Sequence, residues 1–228
     1  MNVLARQSAH TKAIYGVQSL GLSKQHRGNP AASIRLEKVF GAPVLLSGLA
    51  ALILNKTELT SLDHHYKLSL ERLQKLYPCT PRCVVFFLAG SLPASAILHM
   101  RQFTLLGMIS RLGPNNILFR HGMNVLNAKI PNKHSWFSQI RCLAAQYNLP
   151  DPIFILQSPP AKLALKSLIK QKLLDFWQKK LRAEAAPLTS LFKSNFMSLS
   201  RTHLIWTSAG RSPYVVEKAN VQARMLSG

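Results

Sequence analysis

Apolar residues recur at steps of three and four along most of this chain, and the elements they mark are helices. Leu59, Leu62, Tyr66, Leu70, Leu73 and Tyr77 fall on one stripe. Thr57 or Thr60 can start that helix, Thr60 and Asp63 have the spacing of a capping box, and Pro78 ends it. Pro81 opens a short helix through Phe87, closed by Gly90. Pro93 opens the next, which runs to Leu112 before Gly113 and Pro114. In it Ile97, Met100, Thr104, Leu105, Met108 and Leu112 can share a face, with His99, Arg101 and Gln102 elsewhere. Trp136, Phe137, Ile140, Leu143, Ala144 and Tyr147 predict a helix over 134–147. The run IFILQ, bracketed by prolines, admits a strand, although a lone strand has no ladder to join. Residues 161–186 give the longest predicted helix, 195–211 read as loop, and Ser212, Pro213 and Gly228 frame a terminal helix. The expected fold is all-α, with roughly seven to nine helices and little or no sheet. A boundary near 127–133 divides it into helical lobes 1–127 and 128–228.

Two apolar runs raise the question of a membrane. Residues 39–55 (VFGAPVLLSGLAALILN) carry no charge, but they sit at the low edge of the roughly 20 residues a span needs. Pro43, Ser47 and Gly48 weaken them as a single helix, and Gly90 and Pro93 interrupt 84–98 in the same way. Both read better as buried helices. A small helical membrane protein spanning near 39–54 is the alternative.

Charge changes the picture. Lys and Arg number 29 against eight Asp and Glu, for a formal net charge of +21, and the cations occur throughout the chain. Such an excess repels itself and calls for a polyanion, with nucleic acid ahead of an acidic membrane surface. The densest basic element is 161–186, with Lys162, Lys166, Lys170, Lys172, Lys179, Lys180 and Arg182. Arg201 and Arg211 complete the candidate phosphate-binding set. If all seven helix cations met phosphates, affinity would fall with salt at a log–log slope of roughly −6. Trp136, Phe176 and Trp177 are available for stacking on bases, although aromatics at helical spacing more often fill a core. The first 36 residues carry five cations (Arg6, Lys12, Lys24, Arg27, Arg35) and no acid, a composition that imitates a mitochondrial presequence. The expected location is nucleus or cytoplasm, with the mitochondrion as a minor alternative.

The acidic residues limit the chemistry. Glu37, Glu58, Asp63, Glu71, Asp151, Asp175, Glu184 and Glu217 include no DD, DxD or ExxE pair to hold two magnesium ions. Cys79, Cys83 and Cys142 make an odd count without zinc-finger spacing, and the neighbours His64 and His65 point about 100° apart on a helix. No metal, cofactor or small-molecule substrate is expected.

The order of the segments carries a further signal. YGVQSLGL, then NPAASIRLEKVFGAPVLLSGLAALIL, then ELTSLDHHYKLSLERLQKLYPCTPRCVVFFLAGSLPASAILHMRQFTLLGMI resembles the region after the polymerase palm of non-LTR (LINE-type) retrotransposon reverse transcriptases. SWFSQIRCLAAQYNLPDP, FMSLSRTHLIWTSAG and SPYVVEKANVQARMLSG resemble the next region downstream in the same polyproteins. The resemblance covers residues 11–228 and rests on order and spacing, not on one diagnostic motif. It implies a thumb and a connector, starting after the palm aspartates and ending before a zinc knuckle. It therefore implies a non-catalytic fragment that holds RNA or an RNA–DNA duplex by the backbone. GAPVLLSGLA stands where the family has a segment bearing arginine, tyrosine and glutamate, and Arg201-Thr-His-Leu-Ile replaces a more proline-rich version. These departures make a non-functional translated transposon remnant the other alternative.

Overall fold

The computed structural model describes residues 3–17, 29–128, 134–186, 198–210 and 212–227. Every regular element among them is helical, as the period predicts. In order they are α1 (Val3–Val17), α2 (Pro30–Leu36), a π-helical turn (Glu37–Gly41), α3 (Ala42–Leu45), α4 (Lys56–Leu73), α5 (Arg82–Ala89), α6 (Ala94–Ile109), α7 (Ile117–Asn127), α8 (Trp136–Gln146), α9 (Pro152–Gln157), α10 (Lys162–Ala185), α11 (Leu204–Thr207) and α12 (Pro213–Ser227). IFILQ is α9, capped by Asp151, whose side chain accepts the Ile153 N–H. The predicted loop over 195–211 contains α11, whose Trp206 is fully buried; part of that stretch lies outside the described residues.

Two compact units form, one from 1–47, 56–95 and 177–228 and the other from 48–55 and 96–176. They do not follow the sequential lobes 1–127 and 128–228. Each unit is assembled from separated segments, and the chain passes from one to the other within α6 and within α10. A linker's composition marks where a helix stops, whereas a compact unit depends on which helices pack.

The first unit is organised by α4. Leu62, Tyr66 and Leu70 have no solvent exposure, as their spacing predicts. Thr60 and Asp63 do not form a capping box, because α4 already starts at Lys56 and Thr60 donates back to the Lys56 carbonyl (2.8 Å). Asp63 is instead buried against the start of α6, accepting from the Ser95 N–H (2.7 Å) and hydroxyl (2.8 Å). Burial pushes its carboxyl above the ordinary value, and the Ser95 bonds oppose that shift. Gln74 donates to the Val85 carbonyl and accepts from the Trp206 indole, and Glu71 accepts the Thr80 N–H and pairs with Lys67.

α5 is buried along its length, so its terminal carbonyls need partners. The His203 N–H reaches Leu88, the Thr202 hydroxyl reaches Ala89, and the Lys38 ammonium reaches both Ala89 and Gly90. Gly90 closes the helix at φ 55°, and a Cβ there would overlap the Arg201 carbonyl.

The run 39–55 is not one helix. It passes through the π turn, the four-residue α3, a left-handed Gly48 (φ 73°) and a 3-10 turn at Leu49–Ala51, while Leu45, Leu46 and Leu49 are buried. No single helix among the described residues is long and apolar enough to cross a membrane; one bent pair, Arg82–Ala89 with Ala94–Leu112, passes on length and composition alone.

In the second unit α6 faces its core differently from the sequence reading. Leu98, Phe103, Leu106 and Ile109 are buried together with His99 and Gln102, whereas Met108 and Leu112 are exposed. α6 is apolar nearly all round, so periodicity does not select its inner face. Phe137, Ile140, Leu143, Ala144 and Tyr147 of the α8 region pack inward as predicted. Gly122 lets α7 approach the Phe137 ring, and Gly107 lets α6 approach Leu165 of α10. The Trp136 indole donates to the Ala50 carbonyl (2.9 Å).

Replacing Gly90 by alanine should cost more stability than the same change at Gly210. Both have left-handed φ (55° and 59°) and carry the strain of about 1–2 kcal/mol. Only Gly90 adds a collision with backbone, since nothing lies within 4 Å of a Cβ at Gly210. Urea denaturation of the two variants checks the order, and equal losses would contradict the packing at Gly90.

Candidate functional site

The basic helix predicted at 161–186 forms as α10 (Lys162–Ala185). Leu165, Ile169 and Leu173 turn inward in the second unit, and Trp177, Leu181 and Ala185 do so in the first. That four-residue step leaves Lys162, Lys166 and Lys170 exposed, one turn apart along one side of the helix, and Lys172 half-buried. None of these four lysines forms an ion pair among the described residues. Lys179, Lys180 and Arg182 are exposed in the first unit, where the Lys180 ammonium lies 4.6 Å from the centre of the Trp177 ring. Arg201 is exposed at its side chain while its carbonyl packs against Gly90. Arg211 lies outside the described residues.

Of the aromatic candidates for stacking, Trp177 is buried and Trp136 and Phe176 are half-buried with internal partners. Trp177 is 4% exposed and carries the Arg82 guanidinium over its ring (5.3 Å), Phe176 meets Tyr147 edge to face, and Trp136 is tied to Ala50. Phosphate contact by cations, without a base-stacking platform, is what α10 offers.

The acids sharpen this surface. Glu37, Asp63 and Glu71 are buried, each bonded to an internal donor, so three of the eight carboxylates are withdrawn from solvent. The second unit holds only Asp151 and Asp175 in its sequence, and Arg141 neutralises Asp151 at 3.2 Å. The exposed face of α10 in that unit therefore meets little internal compensation.

A second cluster sits in the first unit. The Glu37 carboxylate accepts from His10 Nε2 at 2.7 Å, and His10 Nδ1 lies 3.0 Å from His65 Nε2. His10 is 1% exposed and Glu37 not at all. Glu37 begins the π-helical turn, and Gly41 at its end leaves room for the carboxylate: a Cβ there would collide with Glu37 Oε2 and lie 2.7 Å from Ile14 Cδ1. Burial, then the charges of His10, Arg72 and His64, hold the His65 imidazole at about 4 instead of 6.5. The partners are 27 and 55 residues apart, so no local motif announces them. Lys38 is a third displaced group, lowered to about 8 by burial beneath the α5 carbonyls. No group of three or more His, Cys, Asp or Glu among the described residues is arranged to hold a metal ion, and Cys79, Cys83 and Cys142 are free thiols.

No family model matches the chain, and neither a curated protein nor a solved structure does.

His99 supplies a pH test. It donates to or accepts from the Tyr147 hydroxyl at 2.7 Å, and burial lowers it to about 4 from 6.5. Well above pH 6.5 it is neutral in both folded and unfolded chains. Between about 6.5 and 4 the unfolded chain binds a proton that the folded chain refuses, so stability is lost as pH falls through that window, by about 3 kcal/mol for this group. His99→Gln should flatten the pH dependence of urea midpoints between pH 7 and 4. An unchanged dependence would contradict a neutral buried imidazole.

Proposed function

We propose that the chain binds the phosphate backbone of RNA or an RNA–DNA duplex without base specificity, as a thumb-and-connector fragment of a non-LTR reverse transcriptase. The observation that carries this reading is the exposed Lys162, Lys166 and Lys170 row, in a unit whose sequence holds only two carboxylates. Lysines one turn apart on a rigid helix present ammonium groups at intervals of about 6 Å, a scale on which a helix laid along a strand meets successive phosphates. Lys172 adds to that row in the second unit, and Lys179, Lys180, Arg182 and Arg201 are separate candidate phosphate contacts in the first.

The reading assigns no catalytic step to this chain; its residues hold a duplex and leave chemistry to a palm elsewhere. The order of segments that resembles the post-palm region supports it, and the helical fold is compatible with it.

Affinity for a labelled RNA–DNA duplex, measured across a salt series, tests the proposal. Wild type should show a log–log slope of several units, and Lys162→Ala with Lys166→Ala and Lys170→Ala should make it shallower by about 3, roughly one for each phosphate contact removed. A slope unchanged in the triple variant would remove α10 from the interface. Primer extension with magnesium should give no template-dependent product, and any such product would refute the non-catalytic reading.

A further inference from the structure

α1 and α4 enclose a cavity of about 260 Å³ in the first unit, lined by His10, Thr11, Tyr15, His65, Ser69 and Arg72 among others. No carboxylate among the described residues lines it. Behind it stands the buried Glu37, joined to the cavity wall through His10. We propose that this cavity is a binding site for a phosphate monoester or an oxyanion of similar shape, carried either by a small molecule or by the 5′ end of a strand. This goes beyond contact with backbone phosphodiesters and does not rest on the lysines of α10.

The geometry of the lining leads to that ligand class. His65 Nε2 lies 3.0 Å from His10 Nδ1, and His65 Nδ1 takes no partner among the described residues. Burial holds the His65 imidazole at about 4, so it is neutral near pH 7. The lining also offers the Ser69 hydroxyl, the Tyr15 hydroxyl and the Arg72 guanidinium, and Arg72 supplies its positive charge.

The ligand must therefore be rich in acceptors and negatively charged. Guanidinium with adjacent hydroxyls suits the oxygens of a phosphate monoester, which can accept the Arg72 fork in bidentate fashion. Size narrows it further. The cavity is smaller than the roughly 300–1,000 Å³ that encloses a drug-sized ligand, so a phosphate group with its first attached atoms fits better than a whole nucleotide.

Titration of the full chain with inorganic phosphate at constant ionic strength tests the proposal, monitored by calorimetry and by the imidazole ¹⁵N resonances of His65. One saturable site is expected, with a shift at His65 on filling. Arg72→Ala should weaken it at least tenfold and Arg72→Lys by less, while Lys166→Ala with Lys170→Ala leaves it unchanged; circular dichroism confirms that each variant is folded. Arg72→Ala should in turn leave the salt slope for duplex set by α10 unaltered, which separates this site from the backbone interface. Competition by a 5′-phosphorylated oligonucleotide, but not by its 5′-hydroxyl form, would place the source at a strand end. Competition by a mononucleotide alone would place it in a small molecule. Absence of saturation, or equal losses in the Arg72 and α10 variants, would overturn the proposal, because the anion would then be answering net charge and not a site.

Discussion

Buried polar groups must find partners, and in the first unit nearly all of those partners are arranged around α4. Asp63 takes the backbone and hydroxyl of Ser95 at the start of α6. Tyr66 meets the Ser91 hydroxyl, Glu71 holds the Thr80 amide, and Gln74 bridges the Val85 carbonyl and the Trp206 indole. On the opposite flank Ser61 receives the Gln7 amide, and His65 meets His10. An apolar α4 would bury the same area with far less control over which helix end meets it. The directional bonds fix the positions of α1, α5, the start of α6 and α11 against one helix.

The same bonds shape the electrostatics. Carboxylates used as internal acceptors cannot offset lysines at the surface. In a chain with only eight of them, burying Glu37, Asp63 and Glu71 matters more than it would in an ordinary composition. The fold thus concentrates a charge excess that composition already announces. The end of α5 repeats the theme with the opposite sign, as the half-buried Lys38 ammonium satisfies the Ala89 and Gly90 carbonyls at 2.8 Å.

Close approach is the other recurring device. Gly90 against Arg201, Gly107 against Leu165, Gly122 against Phe137 and Gly41 against Glu37 each put backbone or a side chain where a methyl group would stand. Gly41 bears directly on the cavity behind α1, because it makes room for the carboxylate that anchors His10.

The apolar stripe of Leu62, Tyr66 and Leu70, the proline and glycine punctuation around α5 and α6, the inward face of the α8 region and the full length of α10 were legible in the sequence, because period and chain breakers are local properties. The exposed row Lys162, Lys166 and Lys170 was legible for the same reason. Only the tertiary structure decided which side of α6 is buried, since an all-round apolar helix has no preferred face, and whether IFILQ would be strand or helix, since five residues fit either. It also decided that Trp177 packs inward while Trp136 and Phe176 are half-buried against Ala50 and Tyr147, and that Glu37, His10 and His65 meet across 27 and 55 residues. Contacts between residues far apart in the chain depend on how helices dock, and no local pattern encodes that docking.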